Sequence, residues 1–409
     1  MQPDLQFIRS QFPAFSETSL QGWAFFENAG GSYPCKQVVD RLGEFYTKTK
    51  VQPYYPYPAS KLAGELMDES YRRMAAYLNV DESEIHFGPS TTQNVYVLAN
   101  AMRPMWNEGG EIIVSCQDHE ANAGAWRRLA GRGMKITEWH VDPDSGLLDI
   151  KELEKLISGQ TRMVAFPHCS NLIGQINPVK EISELIHKHG ALSVVDGVAF
   201  APHGMPDLSV LGADIYLFSL YKTFGPHLGL MYVNQVLMGK LENQSHFFKE
   251  GVARNMLTPA GPDHAQIATV SGILDYFDAV YRHHFSDNPP PARRNIALQG
   301  LFRAHEEALL KPLLDFLRNR DDIRILGTDR VEGRAPTVSI LPLNKPIKEV
   351  YQELTAHKLM LGIGNYYAVR PLMEMNIPPD PGVLRISFLH YTSMDEMEQM
   401  IAGLQAALS

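Results

Sequence analysis

Gly212-Ala213-Asp214-Ile215-Tyr216-Leu217-Phe218-Ser219-Leu220-Tyr221-Lys222 is an apolar, β-rich run that ends on a single amine. It reads as a buried strand that presents Lys222 at its carboxyl end. Burying a free ammonium is costly, so such a lysine is most simply reactive or paired. The alternative is a strand-end lysine whose stem covers apolar surface while its head reaches water. A second apolar run, Ala191-Leu192-Ser193-Val194-Val195, ends on Asp196. A lysine and a carboxylate brought to one cleft are the two fixed points required by an aldehyde cofactor with a basic ring nitrogen. The amine forms the Schiff base, and the acid keeps the ring protonated so that it can act as an electron sink. Pyridoxal 5'-phosphate is therefore the expected cofactor.

Outward from that run, residues 111–230 alternate short apolar runs with helical patterns, as a doubly wound, mostly parallel α/β sheet does. The expected strands are 111–115, 163–166, 192–195 and 215–218. Between the second and third lies Asn177 to Gly190, with Pro178 early, apolar residues at helical spacing, basic residues late and glycine as the stop. This is one βαβ unit. The carboxyl ends of such strands share one rim, where ligands of open α/β sheets bind. Cys169, Asn171, Asp196 and Lys222 all fall at or just past those ends. Ser286-Asp287-Asn288-Pro289-Pro290-Pro291 is the clearest linker. Helical patterns at 294–319, 347–357 and 394–408 follow it, with short strands near 337–341 and 383–388. The expected organisation is a large α/β domain over 20–288 and a smaller α+β domain made of 1–19 and 289–409.

Composition narrows the function. The 409 residues carry a formal charge of -9, and no basic run offers itself to nucleic acid or an anionic membrane. A small polar substrate is the default. Cys35, Cys116 and Cys169 are too few and too scattered for a disulfide framework or a CxxC metal site, which points to a reducing compartment. Residues 1–12 lack the pattern of a secretory leader, and no run approaches the ~18 apolar residues of a membrane span. A cytoplasmic protein is expected, so the sequon Asn243-Gln244-Ser245 carries no glycan. The pairs His283-His284 and His187 with His189 lack carboxylate or cysteine context, and no catalytic metal is expected.

Six segments, in order, resemble the class V aminotransferase family of fold-type I pyridoxal phosphate enzymes, in particular its cysteine desulfurase and selenocysteine lyase branch. Phe25-Phe26-Glu27-Asn28-Ala29-Gly30-Gly31 is similar to the branch's "LDNAATT" entry, which implies a substrate-side role for Asn28. Gly88-Pro89-Ser90-Thr91-Thr92-Gln93-Asn94 is similar to "GTTEAIN", so Thr91 and Thr92 at a helix start are expected to hold the cofactor's phosphate. Asp118-His119-Glu120-Ala121-Asn122 is similar to "EHHAN" and makes His119 the candidate for ring stacking and proton handling. Ser170-Asn171-Leu172-Ile173-Gly174 matches "SNxxG", and Asp196-Gly197 matches "VDGAQ" with Ala199 in place of the glutamine. Ser219-Leu220-Tyr221-Lys222 corresponds to "SxHK", with Tyr221 replacing histidine. The resemblance also implies a homodimer, although Ala260-Gly261-Pro262-Asp263-His264 stands where the family's Gly-Thr reaches the partner's phosphate.

Arg385 in Val383-Leu384-Arg385-Ile386-Ser387-Phe388 matches the family's carboxylate-binding arginine. Taken alone it is equally a surface strand charge. The desulfurase loop "GHHCAQPLM" becomes Gly364-Asn365-Tyr366-Tyr367-Ala368-Val369-Arg370-Pro371-Leu372-Met373, with Tyr367 at the nucleophile's position. A phenol with a pKa near ~10 cannot form a stable persulfide. The expected chemistry is thus that of a class V aminotransferase or a Cβ (C–S type) lyase acting on an amino acid. Lys222 releases the cofactor to the substrate amine and then removes the Cα proton. The alternatives are sulfur transfer without the loop cysteine and a noncatalytic binding protein. Arg370 either adds a second anion site for an acidic substrate or pairs with a local carboxylate. The loop Pro53-Tyr54-Tyr55-Pro56-Tyr57-Pro58 either roofs the pocket or serves as surface or dimer contact.

Overall fold

The computed structural model describes residues 1–106 and 109–409. Strand β1 (Ala24–Phe25) is followed by β2 (Ile85–Gly88), β3 (Glu111–Ser115), β4 (Lys135–Trp139), β5 (Thr161–Pro167), β6 (Leu192–Asp196), β7 (Ile215–Ser219) and β8 (Gly229–Val233). The last seven form one sheet in the order β2-β8-β7-β6-β5-β3-β4. From β4 to β7 the strands run parallel, while β8 pairs antiparallel with β7 and β2 antiparallel with β8. Every residue of β3, β7 and β8 is buried, which is why these strands read as continuous apolar runs. The chain proceeds outward from β3 to β4, then returns to place β5 on the other side of β3. That reversal opens a crevice at the carboxyl ends of β3 and β5.

All four strands expected in this sheet are present, and the helix Val179–Lys188 fills the βαβ unit with Val179, Ile182 and Ile186 buried. β6 ends on Asp196 itself. β7 stops at Ser219, so Lys222 is carried by a one-turn 3-10 segment, Leu220–Lys222. The turn is closed by Leu220 N–H to Leu228 O at 2.8 Å and Gly225 N–H to Leu220 O at 2.9 Å. These bonds hold the lysine as rigidly as a strand would.

The second sheet uses β9 (Ile323–Leu326), β10 (Thr337–Pro342), β12 (Gly362–Gly364) and β13 (Val383–Ser387), antiparallel in the order β12-β13-β10-β9, and β11 (Leu359–Met360) pairs in parallel with β1. The helices Ile347–Ala356 and Met394–Ala407 contribute Val350, Leu354, Met397, Met400 and Leu404 to its core.

Two segments link the two cores. The proline run does end the preceding helical stretch, but Pro291 opens a 28-residue helix, Pro291–Arg318. A proline at the first helical position sacrifices no hydrogen bond. Leu298, Leu301 and Phe302 of that helix sit in the core under the large sheet, whereas Leu309 to Leu317 sit in the core of the small one. In the amino-terminal segment Ile8 and Phe12 enter the larger core, with Phe12 edge-on to Tyr276 at 5.0 Å. Aromatic packing draws it there, and Arg9 bridges onward to Glu396 at 2.8 Å.

Candidate active site

The loops after β3, β5, β6 and β7 enclose a cavity of about 420 Å³ together with the amino terminus of the helix Thr91–Met102. Of the sequence candidates it gathers Thr91, Thr92, His119, Asn171, Asp196, Ser219, Tyr221, Lys222 and Tyr367 onto one wall or another. Lys222 is 7% exposed. Burial first, and the nearby Arg385 cation second, push its ammonium down to about 8, against smaller opposing pulls from Asp196 and Glu27.

Asp196 is buried in the same cavity and accepts the Val198 N–H at 2.8 Å. Burial raises its carboxyl to about 6, while that N–H and Lys222 hold it down. Asp118, to which the sequence reading gave no role, is a second buried carboxyl in the same cavity. Burial, then the charge of Asp196, raises it well above the ordinary carboxylate range. Two acids facing one low-dielectric space each disfavour the other's ionisation, so the pair takes up its protons jointly and above the ordinary carboxylate range. Asp118 is held by His119 N–H at 3.0 Å and Asn122 Nδ2 at 2.7 Å.

His119 is neutral. Burial, with Lys222 and Arg385 beside it, lowers it to about 3, and Nδ1 accepts the Ala121 N–H at 3.0 Å. Nε2 therefore carries the proton. In that tautomer the imidazole is a flat donor. Asn171 donates Nδ2 to Tyr366 O at 3.0 Å, fastening the loop that follows β12. In that loop Tyr366 (φ 50°) and Tyr367 (φ 58°) are both left-handed, a conformation non-glycine residues adopt at a cost. Tyr367, 71% exposed, lies over the mouth with its ring centroid 5.2 Å from that of His119. Tyr221 stacks on His227 at 4.7 Å and 5°.

One end of the cavity is shaped for an anion. Ser90 caps the helix Thr91–Met102 by accepting the Gln93 N–H at 3.2 Å, and the hydroxyls of Thr91 and Ser219 are 2.8 Å apart. A Cβ on Gly229 would stand 2.5 Å from Ser90 C and 2.6 Å from Thr91 N. Only glycine in β8 lets the strand pass beneath this cradle. A helix start with paired hydroxyls suits a phosphate. With an amine and a carboxyl lining the same cavity, the donor set fits pyridoxal phosphate.

Three candidates do not line the cavity, although Arg385 stands near enough to Lys222 and His119 to act on both. Arg385, in β13, is 2% exposed and already bound: Nη2 to Glu27 Oε1 at 2.7 Å and Nη1 to Asn171 O at 3.0 Å, with Tyr366 stacked 3.7 Å away. Its Nε has no partner. Asn28 is consumed by the fold, donating to Phe25 O and Ser387 O and accepting from the Tyr391 hydroxyl. Arg370 points to Glu138 Oε1 at 2.8 Å, a carboxylate it shares with Arg127, and not into the cavity. The local-pair reading of Arg370 is the one observed. The Tyr54 loop packs on its own helix, with Tyr54 bonded to Asp68 at 3.0 Å and outside the cavity lining. Cys169 does line the cavity, but burial pushes its thiol up to about 12.

A profile of the family "Aminotransferase class-V" matches residues 24–249. The chain belongs to that family. Members are pyridoxal phosphate enzymes, and this class-V aminotransferase family member is accordingly one. It is 33% identical over 417 residues to the aminotransferase-like protein FGM3 of Gibberella zeae, covering 98% of each. It is 27% identical to the cysteine desulfurase-like protein ustD of Aspergillus flavus, covering 98% of this chain and 90% of that one. In fold it is similar to a cysteine desulfurase from Thermococcus onnurineus NA1, with a TM-score of 0.86 at 22% identity, over 100% of this chain and 98% of that one. Among the described residues, no helix is long and apolar enough to cross a membrane.

Proposed function

We propose that this protein acts on a small α-amino acid at Cα, with Lys222 as the cofactor's covalent anchor and then as the group that takes and returns the Cα proton. The carrying observation is Lys222 itself: a buried amine, poised near neutrality, that shares one cavity with Asp196 and the anion cradle. When bound, pyridoxal phosphate supplies a sink for the electron pair left at Cα. Thr91, Thr92 and Ser219 would hold its phosphate. Asp196 would face the ring nitrogen. His119 would cover one ring face, with Asn171 and Tyr221 flanking it. Tyr367 would exclude water at the mouth.

Arg385 is the receiver of the substrate's carboxylate, with Glu27 holding that place until substrate arrives. Asn28 and Arg370 have no part in this reading. Sulfur transfer is disfavoured because the mouth carries Tyr367 and the lining thiol of Cys169 stays protonated. A homodimer, a cytoplasmic location and a division into bodies at about residue 289 belong to the same proposal. The groove of about 860 Å³ that shares Tyr96 and His227 with the cavity supports the dimer. Light scattering on the purified protein tests it.

The deciding experiment incubates the holoenzyme with a panel of amino acids and follows its visible spectrum while keto acid, ammonia, sulfide and sulfite are assayed separately. Lasting conversion to the pyridoxamine form identifies a transaminase. Pyruvate with a released group identifies a Cβ lyase. Cyanide-releasable sulfur on the protein would overturn the reading.

A further inference from the structure

The edge of the large sheet remote from β2 carries a second concentration of donor groups. Cys116 follows β3, Glu138 lies in β4, His140 follows β4, and Glu374 closes the helix Val369–Glu374. One donor atom from each lies within 4.8 Å of every other. Cys116 Sγ is 3.8 Å from His140 Nδ1, and that nitrogen is 2.7 Å from Glu374 Oε1. Donors bound about 2.0–2.3 Å from a tetrahedral zinc ion sit roughly 3.3–3.8 Å apart, so small side-chain rotations would enclose one.

The donors are also oriented from outside. Cys116 N–H bonds Trp139 O at 2.8 Å, which fixes the cysteine against β4. Glu374 Oε2 accepts the Val141 N–H at 2.8 Å, and Arg370 reaches Glu138 Oε1 at 2.8 Å beside Arg127. Outer partners of this kind aim ligands in metal sites. One thiol, one imidazole and two carboxylates suit a zinc-like ion and not magnesium or calcium, which take oxygen ligands.

We infer that Cys116, Glu138, His140 and Glu374 bind one divalent ion of the zinc class, and that the ion ties the roof of the cavity to the edge of the large sheet. Coordination replaces the thiol proton, which leaves to solvent. The thiolate and two carboxylates then face the ion together with the guanidinium groups of Arg127 and Arg370, and the net charge of one positive lies on the open side, where the His140 side chain is 64% exposed. Glu374 belongs to the same segment as Tyr367, with Arg370 between them already pinned to Glu138. An ion here would hold residues 364–374 closed over the mouth.

The test strips the holoenzyme of metal with a chelator and titrates it with cobalt(II) alone. The expected result is one equivalent bound, with a thiolate-to-cobalt band and the visible bands of a four-coordinate ion. His140→Ala and Cys116→Ser both lose these bands. His140 is exposed, so its variant folds even if the buried cysteine's does not. Amide exchange over 364–376 slows on cobalt addition in the parent and not in His140→Ala. Absence of the thiolate band, or its persistence in both variants, overturns the site. Binding without slowed exchange overturns the tie to the roof.

Discussion

Replacing Arg385 with glutamine should make Lys222 a worse nucleophile, even though the two side chains do different jobs. The structure lowers Lys222 from 10.5 to about 8, with burial as the largest cause and the Arg385 cation next. That step corresponds to roughly 3 kcal/mol against the ammonium. At pH 7 it leaves about 10% of the side chain as free amine, against about 0.03% for an unperturbed lysine, a gain of about 300-fold in reactive form. Removing Arg385 while Glu27 stays takes away a cation and leaves an anion, so the ammonium is favoured again. Rates of pyridoxal phosphate capture by the apo protein, followed by visible absorbance from pH 6 to 10, should inflect near 8 in the parent and at a higher pH in Arg385→Gln. A parent inflection above 10, or an unchanged or lower one in the variant, would refute the electrostatic reasoning. The sign for stability follows the same numbers. Below about pH 8 both folded and unfolded chains hold the lysine proton and the burial penalty is complete. Between about 8 and 10.5 the unfolded chain binds more protons, so the apo protein gains stability as pH rises.

Gly229→Ala should cost about 1–3 kcal/mol, because its methyl meets backbone at Ser90 and Thr91; a lower melting temperature together with weaker cofactor binding checks this. Asp196→Ala should retain cofactor on Lys222 yet lose roughly 10²-fold or more in turnover, measured with the best substrate of the panel. His119 should contribute no inflection to the rate between pH 5 and 8, since burial and two cations hold it near 3; an NMR titration of its ring would expose an error. Arg370→Ala should shift stability by no more than ~1 kcal/mol, as expected for a partly exposed ion pair, and should leave the ratio of kcat/KM for acidic and neutral amino acids unchanged.

Much of the fold was legible because the inner strands are buried on both faces and so read as unbroken apolar runs. The rim residues Asp196 and Lys222 were legible for the same reason, since each follows such a run at a defined end. Pairings were not. Glu27 and Arg385 lie at opposite ends of the chain, and nothing local says that the arginine arrives already bound. Arg370 meets Glu138 only because the helix Val369–Glu374 docks against β4. The state of Asp118 depends on Asp196, a strand away in space and distant in sequence. The burial of His119 and the Ala121 N–H on its Nδ1 are likewise invisible in the sequence. Phe12 packs against Tyr276, Phe224 and Tyr391, partners far away in the chain that no local pattern in the amino-terminal segment reveals. The donors around Cys116 come from three separate segments and show no ligand spacing.

The helix Pro291–Arg318 enters both hydrophobic masses without a break. Loosening either mass frees half of a rod whose other half is still gripped, so heat should melt the two in one transition with a single calorimetric peak. A leucine trimmed at position 313 would then be felt at Lys222, through the shared backbone and with no side chain of its own near the cavity.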